Sequence, residues 1–157
     1  MKKLISVFLA LLMLLSFPMI SYADDSKVVE YTNGNIEYYE DGSYSVTTIE
    51  INTISTLAAS TVKQTKTISH YNSKNEKQWD ITVTGTFTYT GSSATCTNST
   101  VSYKIYDTHW KVTSSQASKS GRTATGDFTL KRYFLGIPTE TVNKTLTLTC
   151  SNTGVCS

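Results

Sequence analysis

The sequence predicts an all-β protein, an antiparallel β-sandwich with an N-terminal β-hairpin. Three observations carry this. The 157-residue chain holds 27 threonines and ten tyrosines, and both residue types pack well on a pleated, half-buried surface. Two segments alternate strictly between apolar and polar side chains, the period of a strand with one dry face. Turn-forming residues recur about every ten positions, as in a sandwich or barrel of short strands.

The first segment stands outside the fold. Met1-Lys2-Lys3 opens the chain, an apolar run from Leu4 to Leu15 follows, and Ser21-Tyr22-Ala23 supplies the small residues of a cleavage site. This is the pattern of a secretory signal peptide, residues 1–23, cleaved after Ala23. Ser16 and Pro18 interrupt the run, too early for the roughly 20 apolar residues of a spanning helix. No cysteine stands just after the cleavage site and no second apolar run occurs. The expected product is secreted and extracellular, with no stable membrane anchor. It has 134 residues, with 12 Lys and Arg against 12 Asp and Glu. That length suits one domain with a real core. Its balanced charge gives no electrostatic reason to expect nucleic acid or an anionic membrane as partner.

Residues 24–61 read as a flexible N-terminal segment, frayed up to about residue 34. Within it, Ile36–Tyr39 and Tyr44–Ile51 flank Asp41-Gly42, a hairpin signal that places a β-hairpin at 35–52. The small polar residues that follow, 53–64, read as a linker. The sandwich domain is expected over 62–157. Its clearest strand is Gln78–Tyr89. Trp79, Ile81, Val83, Phe87 and Tyr89 share one face with Gly85, and Asp80, Thr82, Thr84, Thr86 and Thr88 take the other. Gly85 marks a bulge or a close approach. Val142–Cys150 alternates in the same way, with Val142, Leu146, Leu148 and Cys150 on one face. Shorter runs are Thr65–Tyr71, Ala94–Thr97, Val101–Tyr106, Trp110–Thr113 and Thr123–Phe134. Turns are expected at 72–75, 91–92, 107–108, 118–121 and 136–138.

Three cysteines, Cys96, Cys150 and Cys156, are expected to oxidise in an exported protein. A Cys96–Cys150 bridge closes a long loop, for which chain entropy credits about 4 kcal/mol, and Cys150–Cys156 a short one, for roughly 2 kcal/mol. The first is preferred, because both residues lie in strand-like runs and Cys150 points inward. Cys156 is then a leftover, exposed thiol that could link two chains into a dimer. The order Cys96, Trp110, Cys150 is immunoglobulin-like in general architecture, a core Trp beside an inter-sheet bridge. The tyrosine that should stand two residues before Cys150 is absent, and seven residues after it are too few for the usual last strand. The comparison supports a sandwich with a disulfide and no shared ancestry.

Glu40–Thr47, Gln78–Tyr89 and Leu146–Cys150 together resemble a group of small secreted β-rich proteins of Gram-positive, often gut-dwelling, bacteria. The resemblance implies a bacterial, secreted β-sheet protein and no activity. In that group the equivalents of Cys96 and Cys150 recur, while Cys156 is particular to this chain.

No catalytic constellation stands out. The two histidines, His70 and His109, read as an ordinary strand residue and a turn residue, and no Gly-x-Ser-x-Gly elbow occurs. No His or Cys ligands stand at metal-binding spacing, and no cofactor is expected. Asp80, Asp127, Glu76 and Glu140 show no pairing that would serve glycoside cleavage. The threonine ladders Thr82–Thr90 and Thr145–Thr149 would form a hydroxyl array if their strands paired. Aromatics offer the better hint. Tyr103, Tyr106 and Trp110 are candidate ligand-binding residues, since exposed rings stack on sugars or anchor partners. The expected function is a secreted, non-catalytic binding module for extracellular polysaccharide or protein. The alternative is a small membrane-active toxin or bacteriocin-like protein.

Overall fold

The computed structural model describes residues 29–32, 34–56 and 59–157. The signal peptide expected at 1–23 lies outside the described residues. The fold is all-β, with nine strands and no helix among the described residues. The strands are β1 (Val29–Thr32), β2 (Ile36–Tyr38), β3 (Tyr44–Thr56), β4 (Ala59–Tyr71), β5 (Lys77–Tyr89), β6 (Ala94–Ile105), β7 (Trp110–Ser120), β8 (Thr123–Phe134) and β9 (Ile137–Thr149). They form two antiparallel sheets. The larger runs β1-β3-β4-β5-β6 with β2 also on β3, and the smaller runs β7-β8-β9.

The expected β5 alternation holds. Trp79, Ile81, Val83 and Phe87 are buried, and the threonines between them are half-buried on the outer face. Phe128, Leu130, Leu146, Leu148 and Cys150 close the core from the small sheet. Full burial of each leucine contributes about 1.5–3 kcal/mol. Two glycines let the sheets meet. A Cβ on Gly85 would lie 2.5 Å from the Phe87 ring, and one on Gly126 2.7 Å from Val101 Cγ1. Polar side chains close both margins. Lys66 Nζ donates to the Thr147 carbonyl at 3.1 Å on one side, and Lys119 Nζ donates to the Thr97 carbonyl on the other.

The small sheet packs on β4, β5 and β6. The sequence reading of the N-terminal half departs from the structure. The supposed linker is strand: 53–56 pairs with 59–62 in one continuous β3–β4 ladder. Residues 29–32, expected to fray, pair with 49–52. Val62 and Gln64 of the 53–64 stretch are buried, but one of the two is polar and small or polar residues flank them, so no apolar alternation marks the strand. The boundary drawn at 61/62 therefore falls inside one sheet. The Asp41-Gly42 hairpin and the 72–75 loop form where expected.

Bulges decide which side chains face inward. On β6, β7 and β9 the extra residues are Thr97, Thr113 and Thr139. Each threonine turns its hydroxyl onto a carbonyl of the facing strand, at 3.1 Å to Thr86, 3.2 Å to Thr129 and 3.3 Å to Arg132. The side chain thus occupies an acceptor that the disrupted ladder leaves open. The fourth bulge, at Gln78 on β5, gives its carbonyl to the amides of Tyr106 and Asp107. The Thr97 bulge reverses the facing of β6, so Cys96 turns inward opposite Phe87.

The disulfide is a correction. Cys150 bonds Cys156, and Cys96 is a free, buried thiol. Thr149 and Ser157 exchange both backbone hydrogen bonds, so the C-terminal residues fold back as a hairpin that sets the two cysteines side by side. Cys156 is therefore not a leftover thiol, and the basis for a Cys156-linked dimer is gone. The threonine ladders also fall in different sheets. Thr82 and Thr84 meet Thr67 and Thr65 on β4 at 2.9 and 3.1 Å, and Thr149 meets Thr123 on β8 at 3.0 Å.

Candidate functional site

One end of the sandwich gathers the β2–β3, β4–β5, β6–β7 and β8–β9 loops. There a cleft of about 270 Å³ opens between the sheets. Its inner wall is aromatic. His70, on the inward face of β4, stacks on Trp79 with centroids 4.8 Å apart and planes 18° apart. Trp110 stands edge-on to both, at 6.2 Å from His70 and 6.0 Å from Trp79. Tyr39 closes the far side of His70 at 5.8 Å. Such tilted and offset contacts suit the ring quadrupoles. Strand pairing sets them up, because Ser45, His70 and Trp79 lie directly opposite one another across β3, β4 and β5.

Polar groups rim this floor: Asp41 and Ser43 from the β2–β3 turn, Asn72, Ser73 and Lys74 from the β4–β5 loop, Gln78 from its bulge, and Arg132 and Glu140 from β8 and β9. Arg132 pairs with Trp110 on one side and Glu140 on the other. The rim carries two carboxylates, two cations and the His70 ring. Burial holds the His70 ring below the ordinary histidine pKa, against the pull of Asp41 and with the help of Lys144. A neutral ring leaves the formal charges balanced. The cleft thus offers both donors and acceptors and no net formal charge.

Two groups that could suggest catalysis are otherwise engaged. Ser45 Oγ lies 3.2 Å from His70 Nδ1, but Ser45 is only 2% exposed and its Oγ also takes a hydrogen bond from Tyr39 at 3.1 Å. Asp41 accepts from the Ser43 hydroxyl at 2.6 Å and the Ser43 amide at 3.0 Å. Those bonds hold its carboxyl below the usual range, which suits a turn acceptor and not a proton donor. Among the described residues no group of three or more His, Cys, Asp and Glu is placed to hold a metal, and no helix is long and apolar enough to cross a membrane.

The residues singled out from sequence do not converge. Trp110 is 4% exposed and belongs to the cleft wall. Tyr103 lies opposite Ile81 on the inward face of β6 and is 51% exposed. Tyr106 works on the outer face. Its hydroxyl donates to Asp80 at 2.7 Å, and Lys77 and Lys104 lie over its ring at 5.1 and 4.8 Å. Asp80 also accepts from Ser69 and Lys77. Burial works against its charge, but these three donors outweigh it and hold its carboxyl below the usual range. A row of tyrosines crosses the same outer face. Tyr44 stacks on Tyr71 at 4.9 Å with planes 7° apart, and Tyr38 leans on Tyr44 at 5.8 Å. Tyr44 and Tyr71 cover one face of each other, as in a cross-strand ladder, while Tyr38 at the end of the row is 74% exposed.

Sequence reasoning missed His70, Arg132, Glu140 and Asp41 as a group. The readable signal was Asp41, seen only as a turn former; the others meet through strands far apart in sequence. No known protein family, curated protein or solved structure matches the chain.

Proposed function

We propose that the protein is a secreted, non-catalytic binding module, and that the cleft holds a neutral, polyhydroxylated group of a cell-surface polysaccharide. The observation that carries this is the cleft's make-up: a charge-balanced ring of donors and acceptors around the edges of His70 and Trp110. Sugars are bound by that combination of polar groups and aromatic surface. The commitment of Ser45 and Asp41 to structural hydrogen bonds favours holding a ligand over cleaving it. The signal-peptide pattern and the resemblance to secreted bacterial proteins supply the expected location.

The test is co-sedimentation of the mature protein with isolated cell wall and insoluble polysaccharides, at low and high salt. Salt-resistant binding that weakens about tenfold in Arg132→Ala, and not in Tyr103→Ala, is the expected result; tenfold matches the loss of about 1.4 kcal/mol from one charge-assisted hydrogen bond. Binding to no wall or glycan, or binding that Tyr103→Ala abolishes and Arg132→Ala spares, overturns the reading.

A further inference from the structure

The β8–β9 hairpin closes on Phe134-Leu135-Gly136-Ile137, at the same end of the sandwich as the cleft. Phe134 is 63% exposed, Leu135 87% and Ile137 66%. Phe134 pairs with Ile137 across the two-residue turn, and Leu135 and Gly136 have φ of 49° and 82°. Two positive φ values in succession are what a tight hairpin turn with the right twist needs, and Asn-Gly or Asp-Gly is the usual solution. Leu is the poorer choice. It strains in the left-handed region and cannot bond back to the backbone. Folding gains nothing from this side chain, which points to a use outside the fold.

The surroundings specify that use. On the outward face of the small sheet, just behind the tip, Lys111 and Lys131 lie directly opposite each other across β7 and β8. Lys111 Nζ sits 5.2 Å from the Tyr133 ring centroid. Among the described residues neither lysine joins an ion pair. An apolar tip, an aromatic ring behind it and then unpaired cations form the order of groups met on crossing from acyl chains through the interface to anionic headgroups. The domain's balanced total charge hides this, because the attraction is local and acts within a Debye length.

We propose that the tip is a lipid-docking finger. Phe134, Leu135 and Ile137 enter the outer layer of an anionic bilayer, Tyr133 rests at the interface, and Lys111 and Lys131 meet the headgroups. Three side chains on one turn reach only the surface layer, so the protein docks without spanning the membrane. This proposal does not depend on a ligand in the cleft.

The test is sedimentation of the mature protein with phosphatidylglycerol–phosphatidylcholine vesicles and with pure phosphatidylcholine vesicles. Binding to the anionic vesicles is expected, reduced at least tenfold by Leu135→Asn and weakened by high salt and by Lys111→Gln with Lys131→Gln. Leu135→Asn suits the turn better than the native residue, so loss of folding cannot mimic loss of docking. No vesicle binding, or binding that Leu135→Asn leaves unchanged, overturns the proposal. So does concentration-dependent self-association that Leu135→Asn abolishes, which would assign the tip to a second copy of the chain. Wall or glycan binding that depends on Arg132 should survive Leu135→Asn, so the two proposals fail separately.

Discussion

Among the described residues five loops secure themselves, and the β8–β9 turn does not. Asp41 Oδ1 accepts the Ser43 amide, Asn72 Oδ1 the amides of Lys74 and Glu76, Thr90 Oγ1 that of Ser93, Asp107 Oδ1 that of His109, and Ser151 Oγ those of Thr153 and Val155. In each, a short polar side chain at the start of the loop satisfies backbone donors that strand pairing has left open. The β8–β9 turn puts Leu135 in the left-handed region instead, almost wholly in water. Both kinds of turn reverse the chain. The first kind is shaped by folding alone, while the second gives up local stability for an exposed apolar surface.

The largest expected effect breaks the secure side of this contrast. Asn72→Ala removes the acceptor for two loop amides and the donor that reaches Glu76 Oε2 at 2.7 Å. It should lower stability by about 2 kcal/mol, read as a shifted denaturation midpoint with unchanged m-value. A loss within error would mean water replaces the side chain and the contrast is empty.

The second prediction has the opposite sign. Leu135→Asn should raise stability by about 1 kcal/mol, because Asn tolerates positive φ and an exposed Leu contributes little to the core. Thermal unfolding of the same two variants checks it. A destabilised Leu135→Asn would show that the tip packs for folding after all.

The smallest effect lies in the cleft beside these turns. Burial lowers the His70 pKa from the ordinary value of 6.5, partly offset by Asp41, so the folded state takes up a proton less readily than the unfolded chain. Stability is then fully present above pH 6.5, falls as pH drops below it and levels off beneath the lowered folded pKa. Equilibrium unfolding of the wild type and His70→Phe across that window should show the slope in the first and its loss in the second. Parallel curves would move the acid sensitivity elsewhere, with Asp80 and its three donors the next group to examine at lower pH.

The legible part of the fold was the part with a dry face. Trp79 to Phe87 and Leu146 to Cys150 alternate because one side of each strand meets the other sheet. The polar stretch from 53 to 64 was opaque because its pairing partner is known only from the β3–β4 register. The sequence suggests separate strands at Ala94–Thr97 and Val101–Tyr106. They form one, with a bulge at Thr97 that no period-two pattern encodes. The same bulge faces Cys96 inward, while the return of the chain after Thr149 gives Cys150 a nearer partner. The turn expected at 136–138 sits one residue earlier. Pro138 is the second residue of the edge strand β9, opposite Tyr133, where a missing amide is tolerated. The cleft was the least legible feature, since His70, Trp110 and Arg132 gather through non-local pairing.

The proposed binding site is the cleft between the sheets, where the formal charges balance. Titration of isotopically labelled mature protein with soluble cell-wall glycan fragments, followed through backbone amide and indole resonances, tests it most directly. The expected shifts cluster on Asp41, His70, Trp110 and Arg132 and leave Tyr103 and Tyr106 unmoved. Shifts centred on Tyr103 and Tyr106, with the cleft silent, would contradict it.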